Sequence, residues 1–302
     1  MHKNLVPAGN KKAYIFGAGM AGQRAFKNLQ NDYHILGFID NDKDKQGTAL
    51  FGLPIIAPHK MTVTEAETIF IASEFFEQIQ HQLCTELDIV PSRISPLPAR
   101  MLTAKRFEHD PVSIAMSLKL LNTCCEALQE LDASHHIDAG TLLGVYRDNS
   151  LIPWDDDMDI AIDANAVERV AECLNVFVQR LVNISGQPWQ ATICYTEQAF
   201  GNVPAGAIRA FKFSCEVEDS LPSIDFFVKY RCSEFSDYCL ASRAIRMPAK
   251  FTTNILTFSC QGYEWPIPGD TEGYLTYHYG NWRVPDPDWC LQDLNNTEVF
   301  KQ

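Results

Sequence analysis

The chain lacks the features that mark membrane-spanning, secreted and nucleic-acid-binding proteins. Its 302 residues include no run of eighteen or more apolar residues, whereas a membrane-spanning helix needs about twenty. The first sixteen residues contain no apolar segment of a secretory signal peptide. No Lys/Arg-rich stretch offsets the formal net charge of −13, so nucleic acid is not the expected main partner. These absences favour a cytoplasmic protein.

The sequence also lacks a disulfide or zinc framework, internal repeats and low-complexity tracts. Its ten cysteines are scattered, with no C-x-x-C pair, which favours reduced and mostly buried thiols in a cytoplasmic protein. Hydrophobic residues make up 46% of the chain and charged residues 21%, as in globular proteins. The length predicts two domains.

The first hundred residues alternate between short apolar strands and helices. Strands are predicted at "AYIF", "HILGFID" and "ETIFIAS", and helices at "MAGQRAFKNLQ" and "FFEQIQHQLCTEL". This alternation is typical of a parallel α/β sheet. The proline-rich stretch "PSRISPLPARM" predicts the end of this domain, so we place the first domain at residues 1–105.

A glycine-rich turn joins the first predicted strand to the first predicted helix. "GAGMAG" places Gly17, Gly19 and Gly22 in the pattern G-x-G-x-x-G, and Asp40 ends the next strand. In a dinucleotide-binding fold these positions approach a pyrophosphate and a ribose. Taken alone the motif predicts NAD, but it also occurs as a tight turn without a ligand. About a hundred residues also supply too few strands for a full six-stranded dinucleotide domain.

The stretch that follows favours another ligand. "GFIDNDKDKQGTALFGLPIIAP" resembles the small Rossmann-like N-terminal domains attached to bacterial sugar acetyltransferases and other glycan enzymes. That resemblance implies a nucleotide or nucleotide-sugar at the glycine turn, with Asp40 and Asn41 contacting ribose or sugar hydroxyls.

Residues 106–302 show a different pattern. Asp110 is a predicted N-cap and Pro111 the first residue of a long helix. Short strands are predicted at "HHID", "MDIAI", "QATICY", "AIRAFKF" and "SIDFFVKY", with a helix at "GTLLGVYR" and a longer one at "AVERVAECLNVFVQRLV". Helices grouped with mixed strands indicate an α+β domain.

The stretch "WDDDMDI" places four aspartates within seven residues. Such a run is commonly a solvated loop, and the alternative is a cation site. Asp157 and Asp159 alternate with Met158 and Ile160, which predicts a strand with both carboxylates on one face. A further acid, Asp225, lies inside the apolar strand "SIDFFV" and needs a partner there. Three such carboxylates form a suitable cage for Mg²⁺.

A longer string carries a more specific signal. "HIDAGTLLGVYRDNSLIPWDDDMDIAI" closely resembles the signature of the LicD/fukutin family, whose fold is nucleotidyltransferase-like. "SIDFFV" is similar to the family's third-acid strand, and "YLTYHYGNW" to its C-terminal Tyr-Gly element. The resemblance covers about residues 110–290.

This resemblance implies an enzyme that moves a substituted phosphate, such as phosphocholine or ribitol phosphate, from a CDP-activated donor to a glycan hydroxyl. The setting implied is bacterial surface polysaccharide synthesis, such as lipopolysaccharide or capsule. Mg²⁺ or Mn²⁺ is the implied cofactor, bound by the catalytic residues Asp157, Asp159 and Asp225, with Asp225 also a candidate base. The implied substrate-binding residues are Asp138, Gly140, Thr141, Arg147, Asp156 and Lys212.

Several roles have two interpretations. Asp155 and Asp156 either position the loop or are solvated loop acids, and Trp154 is either a packing anchor or a base-stacking ring. Lys212 either contacts phosphate or extends its ammonium to solvent. Two other functions compete with the transferase: an NAD(P)-dependent sugar-nucleotide oxidoreductase working through the first domain, and a non-catalytic nucleotide-sugar-binding module.

Overall fold

The computed structural model describes residues 11–62, 66–103, 107 and 110–300. They form two compact units. The N-terminal unit lies within Met1–Ala104 and adds Pro287–Gln292, whereas the C-terminal unit lies within Lys105–Asp286 and adds Asp293–Phe300. None of the helices in these described ranges is long and apolar enough to cross a membrane.

The N-terminal unit is built on one sheet with helices on both faces. Its strands are β1 (Lys12–Phe16), β2 (His34–Ile39), β3 (Ala49–Leu50), β4 (Leu53–Ile56), β5 (Thr68–Ile71) and β6 (Ile94–Pro96), and its helices are α1 (Met20–Leu29), α2 (Phe76–Leu87) and α3 (Ala99–Leu102). The strand order is β3-β4-β2-β1-β5-β6. All neighbours are parallel except β3 and β4, so the parallel strands follow the order of doubly wound α/β folds.

Alternation along the strands supplies a core on each face of this sheet. Phe16 and Ile71 pack with Leu83 of α2 on one face, whereas Ile15 and Phe38 pack in a second cluster on the other. Burial on both faces explains why these strands are apolar throughout.

The sheet has six strands, but only five of them are parallel, because β3 is a two-residue strand that pairs antiparallel with β4. The expectation that this unit lacks the strands of a full parallel dinucleotide domain therefore stands. The missed strands β4 and β6 are short, and each contains a proline. Proline cannot donate to a strand ladder, so such segments look like turns in the sequence. The stretch predicted to end the domain therefore holds an edge strand, β6, and the short helix α3.

The C-terminal unit is α+β. Its helices are α4 (Pro111–Glu130), α5 (Ala139–Asp148), α6 (Val167–Glu172), α7 (Leu174–Ser185) and α8 (Thr271–Tyr279). Its strands are β7 (His135–Ile137), β8 (Asp157–Asp163), β9 (Trp189–Tyr195), β10 (Ile208–Cys215), β11 (Ser223–Arg231), β12 (Phe235–Cys239), β13 (Arg243–Pro248), β14 (Ile255–Cys260), β15 (Tyr263–Pro268) and β16 (Thr297–Val299).

Most of these strands form one mixed sheet around β11. The order β16-β13-β12-β11-β10-β9 is antiparallel, while β8 runs parallel to β11 and pairs with β7. Strands β14 and β15 form a separate hairpin. On one face of the sheet, the rings of Phe177, Phe213 and Phe226 lie within 5.5 Å of one another. This apolar face holds β8, β10 and β11 in a fixed register.

The long helix predicted from Asp110 is confirmed. The Asp110 side chain accepts a hydrogen bond from the Val112 amide, and Pro111 is the first helical residue. The prediction of a second long helix is wrong in one respect, because the structure divides this stretch into α6 and α7 at Cys173. All ten cysteines are free thiols, of which four are buried, five partly buried and Cys232 exposed.

Candidate active site

Strand register brings two acids and a lysine onto one polar face of the large sheet. Asp225 on β11 lies directly opposite Asp159 on β8 and, on the other side, opposite Lys212 on β10. The alternate residues Met158 and Ile160 are fully buried on the opposite face. The sequence prediction that Asp157 and Asp159 share a face against an apolar core is therefore confirmed by the strand pairing.

The loop before β8 adds more carboxylates to this face. Among the described residues, Asp155, Asp156 and Asp157 form a group of three acids in which one carboxylate oxygen from each lies within 4.8 Å of the other two. The oxygens of Asp157, Asp159 and Asp225 do not all lie that close in the described structure. The densest part of the cluster is therefore the loop, and the metal role of the three predicted ligands stays a prediction.

The crowding makes these carboxyls hard to ionise. Burial, together with the charge of Asp156, raises the pKa of Asp157 to about 6. Burial also raises the pKa of Asp225 to about 6, although Lys212 opposes the shift. Burial and neighbouring carboxylates raise the pKa of both Asp155 and Asp159 well above the ordinary range. A cation bound among them would reverse these shifts, because it favours the charged form.

Lys212 is the positive charge at the cluster. Its Nζ lies 3.2 Å from Asp225 Oδ2. Burial works against the charged ammonium, but Asp225 and Asp157 outweigh burial and raise the pKa of Lys212. The other oxygen of Asp225, Oδ1, is buried without a hydrogen-bond partner among the described residues. The site thus holds one buried carboxylate oxygen that is open to a ligand.

Asp155 lies against the first turn of α5. A Cβ atom placed on Gly140 would collide with Asp155 Oδ2, so the glycine is what lets the carboxylate approach this turn. The N-terminal end of a helix favours a negative charge. Of the two interpretations of Asp155, the contact supports a positioning role.

We expect Gly140→Ala to push the Asp155 carboxylate away from α5 and to lower the free energy of unfolding by about 1 kcal/mol, the low end of the cost of overpacking, because the colliding atom is the end of a side chain that can turn aside. The Asp155→Ala variant removes the colliding carboxylate, so Gly140→Ala should cost little in that background. Urea unfolding of the four proteins measures the coupling. Equal costs of Gly140→Ala in both backgrounds would contradict the contact.

Two predicted substrate contacts instead position Asp159. Thr141 Oγ1 accepts a hydrogen bond of 2.8 Å from the Asp159 amide, and the Asp138 amide donates to the Asp159 carbonyl. Asp138 Oδ2 lies 2.6 Å from Lys229 Nζ, and the Tyr274 hydroxyl donates to Asp138 Oδ1 at 2.5 Å. Asp138 and Thr141 are both buried, and contact of either side chain with a donor stays a prediction.

Two other predicted substrate contacts, Arg147 and Asp156, lie outside the paired strands β8, β10 and β11. Arg147 donates to both carboxylate oxygens of Asp148 and to the Trp282 carbonyl. Pairing with a diphosphate stays a prediction, since it requires Arg147 to leave Asp148. Asp156 belongs to the loop cluster and is partly buried, as is Trp154.

Three residues of the site escaped sequence analysis. Lys229 lies four residues after Asp225 on the same strand face, so the alternation in "SIDFFVKY" could have revealed it. Tyr274 and Tyr279 lie in α8, within the quoted C-terminal element. Burial and the charge of Asp159 raise the pKa of Tyr279, which places that phenol near the acids. Burial lowers the pKa of both His136 and His278 to about 4, so both imidazoles are neutral.

The glycine turn of the N-terminal unit has packing reasons for two of its three glycines. A Cβ on Gly22 would collide with the Gly17 carbonyl, and one on Gly17 would lie 2.8 Å from the Ala72 carbonyl. A Cβ on Gly19, the N-cap of α1, would meet no described atom within 4 Å. Gly19 is therefore the position of the motif that packing leaves unexplained.

The two predicted sugar contacts of this unit are engaged with protein groups. Asp40 Oδ2 accepts a hydrogen bond of 2.8 Å from the Ala18 amide and lies 3.3 Å from Lys45 Nζ. The Asn41 amide exchanges hydrogen bonds with Gln82. Binding of ribose or sugar hydroxyls at Asp40 and Asn41 stays a prediction.

Two family models match the chain. Residues 132–270 match the model described as LicD/FKTN/FKRP, nucleotidyltransferase domain. Residues 9–95 match the model described as C2185-like, N-terminal. The first match contains every acid of the cluster together with Lys212 and Lys229. Among curated proteins, none is significantly similar to the chain.

Two of the solved structures to which the chain is similar are distant likenesses. The chain is 23% identical to UDP-D-quinovosamine 4-dehydrogenase from Vibrio fischeri, over 29% of this chain and 78% of that one, with a TM-score of 0.25. It is 8% identical to UDP-N-acetylglucosamine 3-dehydrogenase GnnA from Acidithiobacillus ferrooxidans, over 85% of this chain and 82% of that one, with a TM-score of 0.23. Scores this low do not establish a shared fold or activity.

Proposed function

Because residues 132–270 match the model of the LicD/FKTN/FKRP nucleotidyltransferase domain, we propose that the chain is a Mg²⁺-dependent transferase of substituted phosphate groups. Its donor is CDP-activated, carrying a group such as phosphocholine or ribitol phosphate, and its acceptor is a glycan hydroxyl in bacterial surface polysaccharide synthesis. The observation that carries the proposal is the cluster of five carboxylates beside Lys212, held in register by β8, β10 and β11.

The residues present fit a hard divalent cation. Mg²⁺ prefers oxygen ligands, and the cluster offers carboxylate oxygens whose mutual repulsion is already expressed as raised pKa values. Asp225 Oδ1 is also buried without a described partner. Asp157, Asp159 and Asp225 would hold the cation, with Asp155 or Asp156 in support. When bound, the cation neutralises phosphate charge and polarises the transferring phosphoryl group.

The side chains around the cluster have separate tasks in this proposal. Asp225 accepts the proton of the acceptor hydroxyl as it attacks the donor phosphate. Lys212 turns its ammonium from Asp225 to a donor phosphate. The backbone amides of Gly140 and Thr141, in the first turn of α5, face the same phosphates. Asp138 and the Thr141 hydroxyl hold Asp159 in place.

The two units divide the work in this proposal. The C-terminal unit, which the sequence predicts at residues 106–302, is the nucleotidyltransferase-like catalytic domain, and the N-terminal unit, predicted at residues 1–105, is a Rossmann-like domain for a nucleotide or nucleotide-sugar. The six-stranded sheet with its glycine turn also supports the second candidate, an NAD(P)-dependent oxidoreductase. Against it, Asp40 is already bonded to the turn itself and to Lys45.

A donor screen by thermal unfolding tests these candidates. We expect CDP-choline, CDP-ribitol or CDP-glycerol, together with Mg²⁺, to raise the unfolding temperature of the full chain, because a ligand that binds only the native state stabilises it. NAD and NADP should leave it unchanged. A shift with NAD(P) and none with any CDP compound would support the oxidoreductase instead. No response to Mg²⁺ alone or to CDP compounds would favour a non-catalytic module.

The pH dependence of the same measurement tests whether the acids hold the cation. The folded-state pKa values of Asp157 and Asp225 are raised to about 6, so the metal-free protein loses stability as pH rises through that value. Mg²⁺ should restore that loss. Its stabilising effect is therefore expected to be large at pH 7.5 and small at pH 5, where protons occupy the carboxyls. An effect that does not change with pH would place the cation elsewhere.

A further inference from the structure

A groove of about 750 Å³ lies on the outer side of α8 in the C-terminal unit. The turn at Ala249–Thr252 forms one wall, and α8 with the segment before β16 forms the rest. The residues that matter here are Lys250, Phe251, Asp270, Glu272, Tyr277 and Asn295. None of them has a task in the transfer chemistry described above.

The groove has an aromatic surface held in a fixed orientation. Tyr277 is 42% exposed, and its ring packs on the buried ring of Phe251 with centroids 5.8 Å apart. A ring supported in this way presents one apolar face with a hydroxyl at its edge. This surface matches a ligand with an apolar face and a polar rim, as a pyranose ring has.

Polar groups surround the aromatic surface. Asn295 is exposed and offers both donors and an acceptor. Asp270 Oδ1 accepts from the Gly273 amide, and Glu272 pairs with Arg283 at 2.6 Å, so both carboxylates are held in place. A few fixed polar groups around an apolar surface give a small-molecule site its specificity. Hydroxyl groups can both donate to these carboxylates and pair with the amide.

The charged residues that line the groove favour one of the two proposed substrates, the nucleotide donor or the sugar acceptor. Its lining includes two carboxylates and one ammonium, from Lys250. Because Arg283 pairs with Glu272, the charges nearly balance, and the groove offers the phosphates of a nucleotide donor little attraction. A neutral sugar needs no counter-charge, which favours the acceptor over the donor.

The same helix contacts the candidate active site from its inner side. The Tyr274 hydroxyl donates a hydrogen bond to Asp138. Burial, together with the charge of Asp159, raises the pKa of Tyr279. Helix α8 has nine residues and is therefore about 13 Å long. A glycan in the groove would thus lie along a helix whose opposite face contacts the transfer machinery.

We propose that this groove binds a neutral sugar unit of the acceptor glycan, stacked on Tyr277 and hydrogen-bonded to Asn295. The identity of the occupant as an acceptor rests on the proposed transferase function, whereas the binding of a neutral sugar does not. The two are therefore tested separately.

Saturation-transfer-difference NMR on the full chain, without Mg²⁺ or donor, tests sugar binding. The probes are the methyl β-glycosides of glucose, galactose, N-acetylglucosamine and N-acetylgalactosamine. We expect saturation of the ring C–H protons of at least one glycoside. Its affinity should fall about tenfold in Tyr277→Ala, in line with the loss of an aromatic contact, and should be retained in Tyr277→Phe. Asn295→Ala should weaken binding without affecting the fold, because the side chain is exposed.

Tyr195→Ala is the matched control, since Tyr195 is 57% exposed and is not part of the groove. Saturation of none of the four glycosides would overturn the proposal, as would equal saturation in Tyr277→Ala. Displacement of the glycoside by CDP-choline would assign the groove to the donor and overturn it as well. A positive glycoside result beside a failed donor screen would keep the sugar site and remove the transferase function.

Discussion

Replacing either Asp157 or Asp159 by asparagine is expected to lower the transfer rate by about a hundredfold to a thousandfold, the scale seen when one group that stabilises transition-state charge is lost. Asparagine keeps the size of the side chain and removes the negative charge. Both residues lie on the anchored strand β8, so neither change has a reason to disturb the sheet. The measurement is Mg²⁺-dependent release of CMP from the donor that the thermal screen identifies.

The stability of these variants separates a functional acid from a structural one. Burial and the neighbouring carboxylates raise the pKa of Asp159, so its charge destabilises the metal-free fold. Asp159→Asn should therefore unfold at the same temperature as the wild type or higher, and its stabilisation by Mg²⁺ should be lost. Acids kept at a cost in stability are typical of functional sites.

Asp163→Asn is the control for both variants. Asp163 lies on the same strand and, by alternation, on the same face. Its side chain accepts a hydrogen bond from the Asn165 amide, a capping role that asparagine also fills. Near wild-type activity is expected. Full activity in Asp157→Asn or Asp159→Asn would remove the assignment of the cation site.

Local pattern was enough to predict the strand and its acids but not the surroundings of the acids. Alternation of Met158 and Ile160 with Asp157 and Asp159 is a property of neighbouring residues. The pairing of Asp225 with Asp159 joins residues 66 positions apart in a parallel register, and alternation does not specify which strands pair. The need of a buried acid in an apolar strand for a partner suggested that connection, and the resemblance to a known family supported it.

The parts that could not be predicted depend on tertiary contacts. Nothing in the sequence near Asp155 shows that its carboxylate lies against Gly140. The family resemblance implies a substrate contact for Thr141 and Asp138, yet the Thr141 hydroxyl bonds the Asp159 amide and the Asp138 carboxylate pairs with Lys229, both inside the unit. Burial decides between the two orientations, and it is set by the packing of α5 on β8.

Replacing Lys229 by methionine is expected to lower the free energy of unfolding of the C-terminal unit by much more than replacing Lys212 by methionine. Lys229 and Asp138 form an ion pair of 2.6 Å, and both side chains are buried. Burial would raise the pKa of Asp138, but Lys229 holds that pKa below the ordinary range. Burial also lowers the pKa of Lys229 despite the attraction of Asp138. Each group is therefore stable in its charged form in the interior only while the other is present.

Without the ammonium, the Asp138 carboxylate would be left charged in the interior, which costs about 3–5 kcal/mol of unfolding free energy. Adding Asp138→Asn should recover most of this loss, because the amide needs no counter-ion. The partly exposed pair of Lys212 and Asp225 is the comparison, and Lys212→Met should cost less than about 1 kcal/mol.

Urea unfolding followed by tryptophan fluorescence reports mainly on this unit, which holds Trp154, Trp189, Trp265 and Trp282. If Lys229→Met is no more destabilising than Lys212→Met, or the double variant recovers nothing, the pair does not support the site.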